Sequence, residues 1–171
     1  MPIKIHDNLP ARELLLNEVV DVINSSSAEK QDIRPLKFLL LNLMPKKLQT
    51  EVQFARLLSS SPLQIELTLM TTKTYAPTNT KKEYLIEFYK TLDDVKDDFF
   101  DVLIITGAPV ETIPFEEVKY WEELKKIILW SSRNVFRKIG ICWGAQALLK
   151  ELHNVEKHTM QKKLFGVYDH N

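Results

Sequence analysis

Phe38-Leu39-Leu40-Leu41-Asn42-Leu43-Met44 is an almost continuous apolar run, and Pro45 stops it. A strand with one face in water alternates apolar and polar residues. A run without alternation predicts a strand covered on both faces, the habit of parallel sheets flanked by helices. Downstream, Thr50 to Ser59 carries Val52, Phe54, Ala55, Leu57 and Leu58 at helical spacing, with Thr50 as the expected N-cap and Pro62 as a hard stop. Leu63 to Met70 alternates as a strand should, with Leu63, Ile65, Leu67 and Leu69 on one face. Pro77-Thr78-Asn79-Thr80 is an expected loop before a helix over Lys81 to Lys90, and Asp93 to Asp98 an expected solvated turn. Asp101-Val102-Leu103-Ile104-Ile105 is a strand that ends at Thr106-Gly107-Ala108-Pro109. Tyr120 to Ser131 is amphipathic at helical period, Phe136 to Cys142 ends in a short strand, and Gly144 to Leu149 opens another helix. This alternation predicts α/β architecture, a three-layer sandwich with a mostly parallel sheet. It is expected as a single domain over residues 1–171, with residues 1–35 as an N-terminal extension. Sites in such sheets lie outside the carboxyl ends of the strands, which directs attention to the loops after Met44, Ile105 and Ile141.

Composition narrows the classes of function. Of 171 residues, 44% are hydrophobic and 27% charged, which suits a globular chain with a real core rather than a disordered or collagen-like one. Lys+Arg and Asp+Glu both number 23, so there is no basic footprint for nucleic acid and no polybasic membrane anchor. No apolar run approaches the ~20 residues of a membrane-spanning helix. The opening Met1-Pro2-Ile3-Lys4-Ile5-His6-Asp7 lacks the apolar stretch of a secretory signal, and one cysteine, Cys142, forms no internal disulfide. Both point to the cytoplasm.

Gly140-Ile141-Cys142-Trp143-Gly144 is the sharpest local feature. A nucleophile type stands with glycine at both second neighbours, an apolar strand before it and an alanine-bearing helix after it. This is a cysteine form of the strand–turn–helix elbow of serine hydrolases. Such a turn leaves no room for neighbouring Cβ atoms and holds the nucleophile in a strained backbone. The helix that follows places its dipole and free N–H groups near the sulfur, which favours thiolate, and the Trp143 N–H could face an oxyanion. A lone cysteine is more often a buried structural residue; the two glycines in this context turn the balance toward a nucleophile.

A nucleophilic cysteine calls for a base, usually histidine. His153 lies roughly 16 Å along the helix from Cys142, too far to serve. His6 sits near a terminus expected to be mobile. Spacing alone leaves His158 and His170 open, although isolated histidines are most often surface residues.

Several stretches together resemble the homoserine O-acyltransferases of methionine biosynthesis, the homoserine transsuccinylase type on a class I glutamine amidotransferase-like fold. They are Ile33-Arg34-Pro35-Leu36-Lys37, Leu41-Asn42-Leu43-Met44-Pro45-Lys46-Lys47, Glu51, Ser61-Pro62-Leu63-Gln64, Thr106-Gly107-Ala108-Pro109, Tyr120-Trp121, Cys142-Trp143 and Lys163-Leu164-Phe165-Gly166-Val167-Tyr168. They occur in the family's order over nearly the whole chain. The resemblance implies ping-pong acyl transfer, in which Cys142 takes the acyl group from acyl-CoA as a thioester that the hydroxyl of L-homoserine then opens. It also implies that Lys163 contacts substrate and that Lys47 lies close to the reacting centre. Position 111 would select the acyl group. Glycine there goes with succinyl-CoA and glutamate with acetyl-CoA, and this chain has Glu111. A carboxylate in a confined pocket repels the second carboxylate of a succinyl group and is indifferent to acetyl.

The expected activity is therefore homoserine O-acetyltransferase, with acetyl-CoA as co-substrate and no bound cofactor or metal. Small-molecule substrates and a homodimer are the expected partners, with neither nucleic acid nor membrane. L-Serine as acceptor, succinyl transfer, an amidase sharing the cysteine elbow and a non-catalytic truncated module are the alternatives. Family members are longer, and the histidine base of the family falls beyond this chain. The 171-residue chain is thus expected to be the N-terminal part of a longer family domain, with little or no transferase turnover by itself and an apolar sheet edge left exposed.

Overall fold

The apolar run at 38–44 becomes β3 (Leu36–Leu41), and its side chains divide between two cores. In the computed structural model, which describes residues 2–28, 33–74, 80–162, 164, 166, 167 and 169, Leu39 and Leu41 enter one core while Leu40 enters the other. β6 (Phe100–Ile105) behaves in the same way, with Leu103 and Ile105 on one side and Ile104 on the other. Each such side chain removed from water contributes roughly 1.5–3 kcal/mol, so a strand buried on both faces holds the layers together. β3 is central, paired in parallel with β4 (Ile65–Met70) and with β6, and β6 pairs in parallel with β7 (Val135–Gly140).

Parallel neighbours need crossover connections, and helices supply them. α3 (Lys47–Ser59) joins β3 to β4, α6 (Trp121–Asn134) joins β6 to β7, and α7 (Trp143–His153) follows β7. Val52 and Ala55 of α3 pack with Leu40, Leu67, Leu69 and Ile104. Leu124, Ile127 and Ile128 of α6 and Trp143 and Ala147 of α7 pack on the opposite face with Leu39, Leu103 and Ile105. Helices on both faces of a seven-stranded sheet, every described pairing of which is parallel, make the expected three-layer α/β sandwich.

Local details depart from the sequence expectations. β1 (Ile3–Lys4) and β2 (Val22–Ile23) extend the sheet in the order β2-β1-β4-β3-β6-β7. Ile3, Ile5, Leu9 and Leu15 of α1 (Ala11–Asn17) are buried, so the segment around His6 is packed where a mobile terminus was expected. α2 (Ser25–Ala28) is a single turn after β2. α3 starts at Lys47, and Thr50 is not its cap: its hydroxyl donates back to the Lys46 carbonyl at 3.1 Å. The strand ends at Leu41, before Pro45, and Lys46 takes the N-cap place without a side-chain cap hydrogen bond. The helix expected over Lys81 to Lys90 is α4 (Lys82–Phe88), and its last two residues become β5 (Tyr89–Lys90) on β4. The acidic stretch is not merely a solvated turn. α5 (Leu92–Val95) is held by Asp94, whose carboxylate accepts from the Thr91 N–H at 2.7 Å, and Val95 is buried. β7 ends the described sheet, and its Phe136 and Ile139 are exposed.

Candidate active site

Cys142 sits between β7 and α7 with φ 54° and ψ −119°, a left-handed value that costs a non-glycine residue about 1–3 kcal/mol. The fold holds it there through neighbouring backbone. The Ile141 N–H donates to the Ile105 carbonyl at 2.9 Å, tying the elbow to the end of β6. The Ala145 and Gln146 N–H groups donate to the Cys142 carbonyl at 3.0 and 3.3 Å and begin the helix. Both flanking glycines are required by contact. A Cβ at Gly140 would stand 2.5 Å from the Ala145 Cα, and one at Gly144 would stand 2.4 Å from the Ile105 carbonyl oxygen. The thiol is exposed, as a nucleophile must be and a structural cysteine need not. A Cβ at Gly107 would lie 3.7 Å from Sγ, so the loop after β6 forms the wall beside the sulfur.

Trp143 opens α7 and is fully buried beneath the elbow, within 6.0 Å of both Phe115 and Tyr120 between ring centroids. Phe115 stacks on Trp121 at 4.8 Å and belongs to a 3-10 turn, Phe115–Glu117, just after Glu111. Aromatic packing therefore joins the helix of the nucleophile to the segment that carries position 111. Glu111 is exposed on a cleft of about 420 Å³ whose walls include Phe115, Gln146, Lys157 and His158. Gln146 stands one helical turn beyond Cys142, which places this cleft beside the elbow.

Lys47 opens α3, whose buried residues join the core opposite the one that α7 enters. The residue is 5% exposed, and its ammonium donates to the Asn42 carbonyl and rests 5.6 Å from the Tyr89 ring centre. Glu51, one turn along α3, is 1% exposed and accepts hydrogen bonds from the Tyr84 and Tyr89 hydroxyls at 2.6 and 2.5 Å. The Asn42 amide donates to the Tyr89 oxygen at 2.9 Å, which closes the network. Burial pushes the Lys47 ammonium down to about 8, against the pull of the Glu51 carboxylate. Burial likewise raises Glu51 above the usual carboxylate range, opposed by the two phenols and by Lys47. Thr106 ties this network to the elbow side: its hydroxyl accepts from the Leu43 N–H at 2.8 Å and donates to the Gly107 carbonyl at 3.0 Å. The loops after β3 and β6 are thereby fixed to each other next to the sulfur.

The structure brings Cys142, Trp143 and the Glu111 cleft together and leaves Lys47 in its own buried network. Lys163 and His170 lie outside the described residues. His153 closes α7, His158 lines the Glu111 cleft, and His6 packs on Phe88 at the β1 side. Among the described residues no side chain hydrogen-bonds to Sγ, and no group of three His, Cys, Asp or Glu side chains could hold a metal. No described helix is long and apolar enough to cross a membrane. Sequence reasoning missed Lys157, whose contacts link segments far apart in the chain and leave no local pattern.

A parallel α/β sandwich with an exposed, backbone-strained cysteine between strand and helix defines the nucleophile-elbow class of α/β proteins. Within it, the chain belongs to the homoserine O-succinyltransferase family, whose profile matches residues 2–171. The homoserine O-acetyltransferase of Acetivibrio thermocellus is 52% identical over 170 residues, covering 99% of this chain and 56% of the relative. Those of Clostridium novyi and Shouchella clausii are 53% and 52% identical over the same length, which is 56% and 55% of each. The chain thus spans little more than half the length of these relatives.

Proposed function

We propose that the protein is a homoserine O-acetyltransferase acting through an acyl-Cys142 intermediate. The observation that carries this is Cys142 itself, exposed and held at φ 54° where α7 begins. Its thiolate attacks the acetyl carbonyl carbon of acetyl-CoA, and the tetrahedral oxyanion faces the first N–H groups of α7, with that of Trp143 foremost. The C–S bond to CoA breaks and the CoA thiolate leaves and takes up a proton. The hydroxyl of L-homoserine then attacks the thioester, loses its proton and regenerates the Cys142 thiol, giving O-acetylhomoserine. Glu111 in its cleft disfavours a succinyl group by charge, and the names of the three relatives agree with acetyl. Lys163 is assigned to substrate binding, and Lys47 to support of the reacting centre through the loop after β3. The protein acts in methionine biosynthesis in the cytoplasm and is a homodimer.

Free CoA release from acetyl-CoA, followed by chromatographic detection of O-acetylhomoserine after L-homoserine is added, tests the proposal. Cys142→Ser should abolish both. CoA release that persists in Cys142→Ser would show that another group carries the acyl chain.

A further inference from the structure

α7 does more than present the nucleophile. It ends at Asn154 in a left-handed turn, φ 52°, and the Val155 N–H folds back to the Leu149 carbonyl at 3.2 Å. Lys150 pairs with Glu156 across this turn. The chain is thereby directed back over residues 110–113, where the Lys157 ammonium donates to three backbone carbonyls. These are Glu111 at 2.8 Å, Val110 at 3.5 Å, and Ile113. Its Nζ also lies 4.7 Å from the centre of the Phe115 ring. An ammonium has three protons and no acceptor, so three converging carbonyls match it completely. The segment it holds has little other internal support: the Val110 N–H to Ala108 at 2.8 Å and the Ile113 N–H to Val110 at 3.1 Å.

We infer that Lys157 is a positioning residue that clamps residues 110–113 and so fixes where the Glu111 carboxylate stands relative to Cys142. The inference rests on the proposed role of Glu111 in acyl selection. Because Lys157 is tied to the end of α7 and Cys142 to its beginning, one helix sets the position of both nucleophile and selecting residue. Glu111, Glu116 and Glu156 line the same cleft as Lys157. Burial lowers the Lys157 pKa, while Glu111 and Glu116 favour its charged form.

Amide hydrogen exchange and Cys142 acylation are to be measured on the wild-type chain, Lys157→Met, Lys157→Arg and Glu111→Gly. Met keeps the length and removes all three donors, so the Val110 and Ile113 amides should exchange about tenfold faster. Arg keeps charge, but its planar fork cannot meet three carbonyls at one point, so exchange should be intermediate. Intact-mass rates with acetyl-CoA and succinyl-CoA should show the acetyl preference falling about threefold or more in Lys157→Met. Unchanged exchange in a folded Lys157→Met overturns the clamp. Faster exchange with an unchanged acyl preference, while Glu111→Gly alters it, overturns the positioning role in selection. If Glu111→Gly leaves the preference unchanged, or no adduct forms at all, the acyl-selection role of Glu111 fails. The clamp then stands or falls on the exchange rates.

Discussion

Gly144→Ala places a methyl carbon 2.4 Å from the Ile105 carbonyl oxygen, 2.6 Å from that of Thr106 and 2.9 Å from the Ile105 carbonyl carbon. All three neighbours are backbone, so no side chain can swing aside. Carbon–oxygen contacts close at about 3.3 Å, so α7 must move away from the end of β6 by close to 1 Å. The Ile141 N–H to Ile105 hydrogen bond, 2.9 Å long, crosses the same seam and would stretch out of range. Overpacking of this kind costs about 1–3 kcal/mol, and a buried hydrogen bond left unmade about 1–3 more. Alanine recovers roughly 0.5–1 kcal/mol over glycine in a helix. The net loss is about 1–5 kcal/mol, and each kcal/mol lowers Tm by about 2–4 °C for a chain of this size. Cys142 lies two residues away, so withdrawal of the α7 N–H groups should also slow its alkylation by iodoacetamide. Circular-dichroism melts and timed mass spectrometry read both effects. A variant that melts within about 1 °C of wild type and alkylates at the same rate would refute the claim that this close approach shapes the elbow.

Gly107→Ala is milder, because its methyl would meet the Cys142 Cβ at 3.3 Å and Sγ at 3.7 Å. Stability should fall by no more than about 1 kcal/mol, while alkylation slows several-fold because the methyl crowds the sulfur. Equal alkylation rates would move the approach to Sγ elsewhere. Lys47, with a folded pKa of about 8 against 10.5 unfolded, binds its proton less well when folded. Its contribution to stability is therefore unfavourable below pH 8 and improves as pH rises from 8 towards 10.5, by about 2 kcal/mol between pH 7.5 and 9.5. Urea midpoints should show this rise in wild type and lose it in Lys47→Met; parallel pH profiles would contradict the buried charge.

The parts of the fold that were legible in the sequence are those governed by local pattern. Leu39 to Leu41 and Leu103 to Ile105 read as strands buried on both faces because their side chains go to opposite cores. Gly140 and Gly144 marked the elbow because close backbone approach excludes a Cβ. Pairing decided the rest. β1, β2 and β5 are two residues each, too short to show a period; β1 and β5 exist because β4 offers them partners, and β2 because β1 does. Tyr89 leaves α4 for the sheet, where its hydroxyl meets Glu51 and Asn42, residues distant in sequence. Lys157 was invisible for the same reason, since its three acceptors are carbonyls far earlier in the chain.

Intact-mass spectrometry after incubation with acetyl-CoA and, separately, succinyl-CoA tests the central claim most directly. One acetyl group mapped by peptide digestion to Cys142, released on addition of L-homoserine and absent from Cys142→Ser, is the predicted result, with little or no succinyl adduct. A folded protein that forms no adduct with either thioester, or that carries the acetyl group on another residue, would contradict it.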